Sequence, residues 1–424
     1  MVVSVTKNNT PALRFDGFDG EWGAVELQQI ADIVGGGTPS TSVTSFWDGD
    51  IDWYSPNEIG ETAIAKPSNK RITRAGLANS SARLLPAHRT VLFTSRASIG
   101  HAAILDHPAT TNQGFQSFVL EDGVDTNFVY ALTPKITEIA EQLATGSTFL
   151  EVSNKTVREI EVHVPATEEQ RAIGELFADL DALIEQHRIK HANLQQTKTA
   201  LLQRMFPQDD ADEPELRLGG FSGAWENQPF SDLVAYRGHN SLSRADLTKV
   251  PTSAMNIHYG DILVKYGSVV DVSQTDIPFV RDVERLANLS RQSLSDGDIL
   301  FADAAEDSTV GKCVEVQGIS DNLVLAGLHT ISARPVRRFA PGFLGHALNA
   351  PSFHNQLLSK MQGTKVSSIS ISTLAETVFS FPTLQEQRAI GEVFSNLDEL
   401  IAAESRYIAQ LMQAKTALLQ RMFI

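Results

Sequence analysis

At 424 residues, with 42% hydrophobic and 20% charged residues, the chain has the balance of a globular protein and enough length for two or three cores. It has no run of 18 apolar residues and no charged start followed by an apolar stretch, so the expectation is a cytoplasmic protein that neither spans nor binds a membrane. A single cysteine, Cys313, excludes an internal disulfide framework, and a formal charge of −16 argues against an autonomous, tight nucleic-acid binder.

In chain order, the first feature is Pro11-Ala-Leu-Arg-Phe-Asp-Gly-Phe-Asp-Gly-Glu-Trp22, which closes an N-terminal segment spanning 1–22. A mixed block of short strands and turns follows over 23–165. It contains Gly35-Gly-Gly-Thr-Pro-Ser40, a tryptophan-rich run through Trp53, and a strand over Thr90–Ser95 leading into Arg96-Ala-Ser-Ile-Gly100. The glycine run has neither phosphate-loop nor dinucleotide spacing. Trp47, Trp53 and Tyr54 are assigned to the core.

Residues 166–206 are free of proline and rich in helix formers, with apolar positions alternating at spacings of four and three. The resulting seam runs through Ile173, Phe177, Leu180, Ile184, Leu194 and Leu201, which is a heptad pattern. About 39 residues at 1.5 Å each make a rod of about 58 Å, too long for one small domain to cover. This helix opens a spacer over 166–213. A second entry segment and a second mixed block occupy 214–381, and a second spacer over 382–424 carries the seam Ile390, Phe394, Leu397, Ile401, Leu411 and Leu418.

These parts repeat. Residues 165–206 and 382–423 align without gaps at 25 of 42 positions, and 11–22 aligns with 214–225 at 7 of 12. The blocks between them share little. Repeated ends around divergent middles predict an α+β protein with a pseudo-twofold repeat: two similar mixed α/β domains joined by two long helices, paired as an antiparallel coiled coil. His187 and His191 have the i, i+4 spacing of a zinc pair, but the second copy has Glu404 and Ile408 there, so they are assigned as polar residues that set register.

Glu169-Gln-Arg-Ala-Ile and Glu386-Gln-Arg-Ala-Ile entering long helices, the opening Gly-Gly-Thr-Pro-Ser with Ile51-Asp-Trp53 downstream, and the Ser98-Ile-Gly100 hairpin together resemble the specificity subunit of type I restriction-modification systems. The resemblance covers the whole chain, including the order and duplication of its parts. It implies two target recognition domains, each reading half of a split, asymmetric site on double-stranded DNA. It also implies helices that set the gap and dock two methyltransferase subunits, with motor-nuclease subunits joining them. No catalytic or metal-ligating residue is assigned here, because neither an amino-methyltransferase motif nor a nuclease metal cluster is present. S-adenosylmethionine, ATP and magnesium would belong to the partner subunits.

Base and phosphate contacts are expected from polar side chains on the block loops. In the first block these are Arg96, Ser98, Asn112, Gln113 and Gln116, with Lys66, Lys70 and Arg71 on phosphates. In the second they are Tyr266, Asp303, Glu306, Lys312 and His329, with Arg237, Arg244 and Lys365 on the backbone. The repeated helix ends keep polar as well as apolar residues, which assigns Gln203, Arg204, Gln420 and Arg421 to a partner surface used twice. The alternatives are a coiled-coil scaffold that binds no DNA, and a stand-alone methyltransferase or nuclease.

Overall fold

The computed structural model describes residues 9–146, 150–208, 211–282, 293–320, 323–360 and 366–424. Two compact units emerge, and the division cuts through both long helices. One unit comprises Met1–Lys190 with Glu404–Ile424, the other His191–Ala403.

In the first unit a four-stranded antiparallel sheet runs in the order Ala31–Gly35, Gln116–Leu120, Thr90–Phe93, Ala102–Ile104. Aliphatic and aromatic runs such as Val91-Leu-Phe93 are buried on both faces, so these strands read as continuous apolar stretches rather than alternating ones. A smaller sheet places Trp47–Tyr54 between Arg71–Ile72 and Thr110–Thr111. The helix Thr126–Leu143, capped by the Asp125 carboxylate accepting the Phe128 N–H, covers the main sheet. Trp53 and Tyr54 are buried and Trp47 is half-buried.

The second unit repeats this plan. Its main sheet runs Val234–Arg237, Thr330–Pro335, Ile299–Ala302, Cys313–Gln317, Val269–Asp271, and its smaller sheet again contains a parallel pair, Ala254–Ile257 with Leu323–Ala326. The fifth strand, Val269–Asp271, runs parallel to its neighbour; in the first unit a single parallel bridge, Ile64 to Ile104, occurs at that edge among the described residues. The covering helix also differs. Pro351 lacks an N–H and holds Ala350 extended, so the chain forms Phe343–Asn349 and then Pro351–Leu358 instead of one helix.

The long helices span Thr167–Arg204 and Leu384–Met422, and they pair antiparallel within each unit. In the first unit Lys415 bonds Asp181, and the His187 ring nitrogen lies 2.7 Å from Glu404. Hydrogen bonding from His187, and then from Lys190, holds the Glu404 carboxyl below its usual range. In the second unit Lys198 bonds Asp398. Of the seam residues, Ile173, Phe177, Ile184, Ile390, Phe394 and Leu397 are buried; Leu180, Leu194, Leu201, Ile401, Leu411 and Leu418 are half-buried.

Each helix end is a plug. Phe423 lies among Trp22, Phe128 and Phe177 with ring centroids 5.5–6.1 Å apart, and the Arg421 carbonyl accepts the Leu13 N–H at 2.8 Å. In the second unit Phe206 lies among Trp225, Phe343 and Phe394 at 5.8–6.2 Å, and the Arg204 carbonyl accepts the Leu216 N–H at 2.8 Å. A bidentate pair locks each entry segment onto the base of a helix: Arg14 on Glu169 and Arg217 on Glu386. The repeated entry and exit segments are therefore two halves of one joint, made twice.

Candidate nucleic-acid interface

Loops gather at one edge of each main sheet. In the first unit the strand Ala31–Gly35 runs into Gly36-Gly37, where backbone comes so close that added Cβ atoms would meet Asn112 O at 1.9 Å and Ala82 N at 2.3 Å. Only glycine fits there. The Gly37 N–H bonds the Thr111 carbonyl, and the Trp53 indole N–H bonds the Gly37 carbonyl at 2.8 Å. Thr38 then donates to the Gln113 side chain at 2.6 Å. Beside it the strand Thr90–Phe93 ends in a tight turn in which the Thr94 hydroxyl bonds the Ser98 carbonyl and Ala97 takes a left-handed conformation, φ 67°. Arg96 bridges to Glu151 through the backbone, and its guanidinium has no side-chain partner among the described residues. A non-glycine residue held in the left-handed region stores strain that its surroundings must impose.

The structure sorts the first unit's candidates. Arg96, Ser98, Gln113 and Asn112 share this edge, with the Asn112 Oδ1 accepting the Gly114 N–H at 2.7 Å. Gln116 is buried and accepts from Asn154 at 2.7 Å, so its side chain faces inward. Lys66 is exposed and pairs with Glu185 at 3.7 Å, and Lys70 is exposed without a side-chain partner among the described residues. Arg71 lies 2.9 Å from the buried Asp52, which also takes His107 at 3.0 Å. Burial would lower the His107 pKa, but hydrogen bonds to Asp106 and Asp52 outweigh it and raise it.

In the second unit the equivalent edge carries Arg237 (exposed, with no side-chain partner among the described residues), Glu306 (exposed), Asp303 and His329. Arg244 is engaged by Asp261 at 2.8 Å. Tyr266 is buried, and burial raises its pKa above the usual phenol value. The Lys312 ammonium donates to the Leu263 and Tyr266 carbonyls at 3.0 and 2.9 Å, closing the end of the helix Tyr259–Val264, and burial lowers its pKa. Lys365 lies outside the described residues. Tyr259, which sequence reasoning missed, sits in this edge with its ring against His258 and His329. Its only sequence signal was a helix start behind a strand. The basic run Arg334, Arg337 and Arg338 lies at the other end of the strand Thr330–Pro335, where Arg334 grips the buried Asp298 at 2.7 Å.

Gln203, Arg204, Gln420 and Arg421 have exposed side chains, with Arg204 beside Glu215 at 2.8 Å. Along the first helix, Ile64, Tyr130, Ala178, Ala182 and Ile189 line a cavity of about 570 Å³ rimmed by Asp106, Asp181 and Glu185. Among the described residues no cluster of three or more His, Cys, Asp or Glu side chains could hold a metal ion, and no helix is long and apolar enough to cross a membrane.

The model of the type I restriction modification DNA specificity domain matches residues 19–195 and 297–413, more than half of the chain. The chain belongs to this family. Among its relatives, the MjaIX specificity subunit of Methanocaldococcus jannaschii is 34% identical over 190 residues, covering 44% of each chain. The EcoR124I/EcoR124II specificity subunit of Escherichia coli is 29% identical over 173 residues, covering 38% of this chain and 42% of that one. The chain thus matches less than half the length of these two relatives. Two solved structures share the fold nearly end to end. The S subunit of a type I restriction-modification system from M. genitalium superposes with a TM-score of 0.55 at 15% identity, covering 98% of this chain and 99% of that one. A chain from a study of complex assembly and conformational transition in a type I R-M system gives 0.55 at 16%, covering 95% and 97%. The family match covers the sheets of the first unit and, in the second, the main-sheet strands from Ile299 onward, together with most of both long helices.

Proposed function

We propose that this protein is the DNA sequence-reading subunit of a type I restriction-modification complex and is itself non-catalytic. Each unit reads one half of a bipartite, asymmetric site on double-stranded DNA through its loop edge. The paired helices set the gap between the halves and dock two methyltransferase subunits, and motor-nuclease subunits complete the assembly. S-adenosylmethionine, ATP and magnesium serve those partners, and the complex works in the cytoplasm. The recognition domains span 23–165 and 214–381, and the spacers 166–213 and 382–424.

One observation carries this reading: the joints are duplicated contact for contact, while the loop edges they support carry different side chains. A duplicated scaffold with unlike edges suits two different targets presented to two identical partners. A major-groove edge distinguishes all four base pairs, but one small domain reaches only a few of them, so linking two readers multiplies specificity. The twice-made exposed ends, Gln203 with Arg204 and Gln420 with Arg421, and the apolar cavity beside Ile64 and Ile189 are surfaces on which partner chains could close. The charge of −16 and the internal use of Arg71 and Arg244 leave few free cations for phosphates. DNA affinity is therefore expected of the partnered complex and not of the isolated chain.

The test is single-molecule methylome sequencing of the host with and without the gene, alongside DNA retention by the purified complex across a salt series. A bipartite methylated motif that vanishes with the gene, and salt-sensitive, sequence-selective retention, are expected. A complex that retains no DNA at any salt would favour a coiled-coil scaffold that binds no DNA, which the acidity also suits. Methylation by the purified chain alone would mean an enzyme.

A further inference from the structure

His329 stands at the loop edge of the second unit in a left-handed conformation, φ 55°, at the turn that starts the strand Thr330–Pro335. Three contacts hold it there. Its Nδ1 lies 3.1 Å from the Asp303 carboxylate, and its carbonyl accepts the Asp303 N–H at 3.1 Å. The ring stands T-shaped against that of Tyr259, with centroids 5.2 Å apart at 71°. The Thr330 hydroxyl closes the turn on the Gly327 carbonyl at 2.7 Å. Yet half of the His329 side chain is exposed, and its Nε2 has no partner among the described residues. A strained backbone and a ring clamped on one side, with its far nitrogen left open, make a preorganised contact and not a packing residue.

The chemistry of the clamp decides what that nitrogen can read. An ionised carboxylate only accepts, so Nδ1 must carry the proton, and in the neutral ring Nε2 is then an acceptor. In the major groove the donors are the exocyclic amino groups of adenine and cytosine; guanine O6 and thymine O4 are acceptors and would face a lone pair. We infer that His329 is a specificity-determining residue of the second half-site, accepting from the amino group of an adenine or a cytosine. Asp303 is the positioning residue that fixes the tautomer, and Tyr259 walls the ring. This inference rests on the sequence-reading role proposed above.

The experiment uses the complex reconstituted with its methyltransferase partner, at pH 8. It is offered duplexes in which each base pair of the second half-site is replaced in turn, and duplexes in which purine replaces adenine or a 4-deamino analogue replaces cytosine. The wild-type complex is expected to lose about tenfold in binding when one particular amino group is deleted. His329→Ala should bind the amino and deamino duplexes equally at that pair and keep its discrimination elsewhere, and Asp303→Ala should loosen the same pair alone. Purine against the cytosine analogue tells which base is read. Undiminished discrimination at every pair in His329→Ala would overturn the inference, as would uniform weakening across all pairs. If the wild-type complex shows no sequence preference at all, the sequence-reading role itself fails, a result separate from either.

Discussion

Arg14 grips Glu169 in the first unit as Arg217 grips Glu386 in the second, and Phe423 fills beside Trp22 the place that Phe206 fills beside Trp225. At the loop edges the agreement stops. One unit presents Arg96, Ser98 and Gln113; the other presents Arg237, Glu306 and a histidine clamped by Asp303. Buried contacts admit few substitutes, because a changed volume or an orphaned charge is costly. Exposed loop ends pay no such penalty and can diverge. The difference teaches where the two units must be alike, and where they are free to differ.

Breaking the shared joint should hurt most. Phe423→Ala removes a buried ring from between Trp22, Phe128 and Phe177, and is expected to cost the first unit about 4 kcal/mol in denaturant unfolding. Phe206→Ala should do the same to the second. Equal losses in both units from either change would break the account of two separate joints. Next, Arg217→Ala leaves Glu386, 2% exposed, without its cation, and should destabilise the second unit by about 3 kcal/mol. Arg14→Ala should act likewise on the first.

The units differ under acid. Each paired Lys and Asp of the long helices faces an aromatic ring from the covering helix. In the first unit this is Tyr130, with the Lys415 ammonium 5.6 Å from its ring; in the second it is His346, fully buried and stacked on Phe394. Burial, helped by Lys198, pushes the His346 pKa down to about 3. The unfolded chain takes up that proton near pH 6.5 and the folded unit does not, so stability is full above that value and falls as the pH drops. At pH 5 the loss should be about 2 kcal/mol. His346→Phe should remove that share, as urea unfolding at pH 7.5 and pH 5 would measure; His258 and His354, which burial also holds below the usual imidazole value, add to the second unit's loss independently. An undiminished loss in that variant would assign it elsewhere. The smallest effect is the sharpest. Arg96→Ala should lower methylation through the first half-site about tenfold and leave the second motif unchanged. Unaltered methylation would remove Arg96 from the edge that reads.

The architecture was legible because repetition and heptad spacing are properties of sequence alone: Ile173, Phe177, Ile390 and Phe394 recur at helical intervals whatever they pack on. The antiparallel sense followed from chain return. What the repeated Met-Phe ends were for was not legible, since nothing local in Lys198–Phe206 says that Phe206 enters a core beside Trp225. The loop edges were legible only by residue type. Polarity nominated Gln116 and Lys312, but the fold turns one onto Asn154 and the other onto helix carbonyls. Tyr259 gave no polar signal of note, and only the fold brings it, at the start of its helix, beside His329.

On the proposed function, the paired helices hold two unlike readers at a set distance. The most direct test deletes one heptad from each helix, 185–191 together with 402–408, so that the seam keeps its register, and then determines the methylated motif of the host. The account predicts both half-site sequences unchanged and the gap between them shortened. An unchanged gap in an active complex, or an altered half-site sequence, would contradict it.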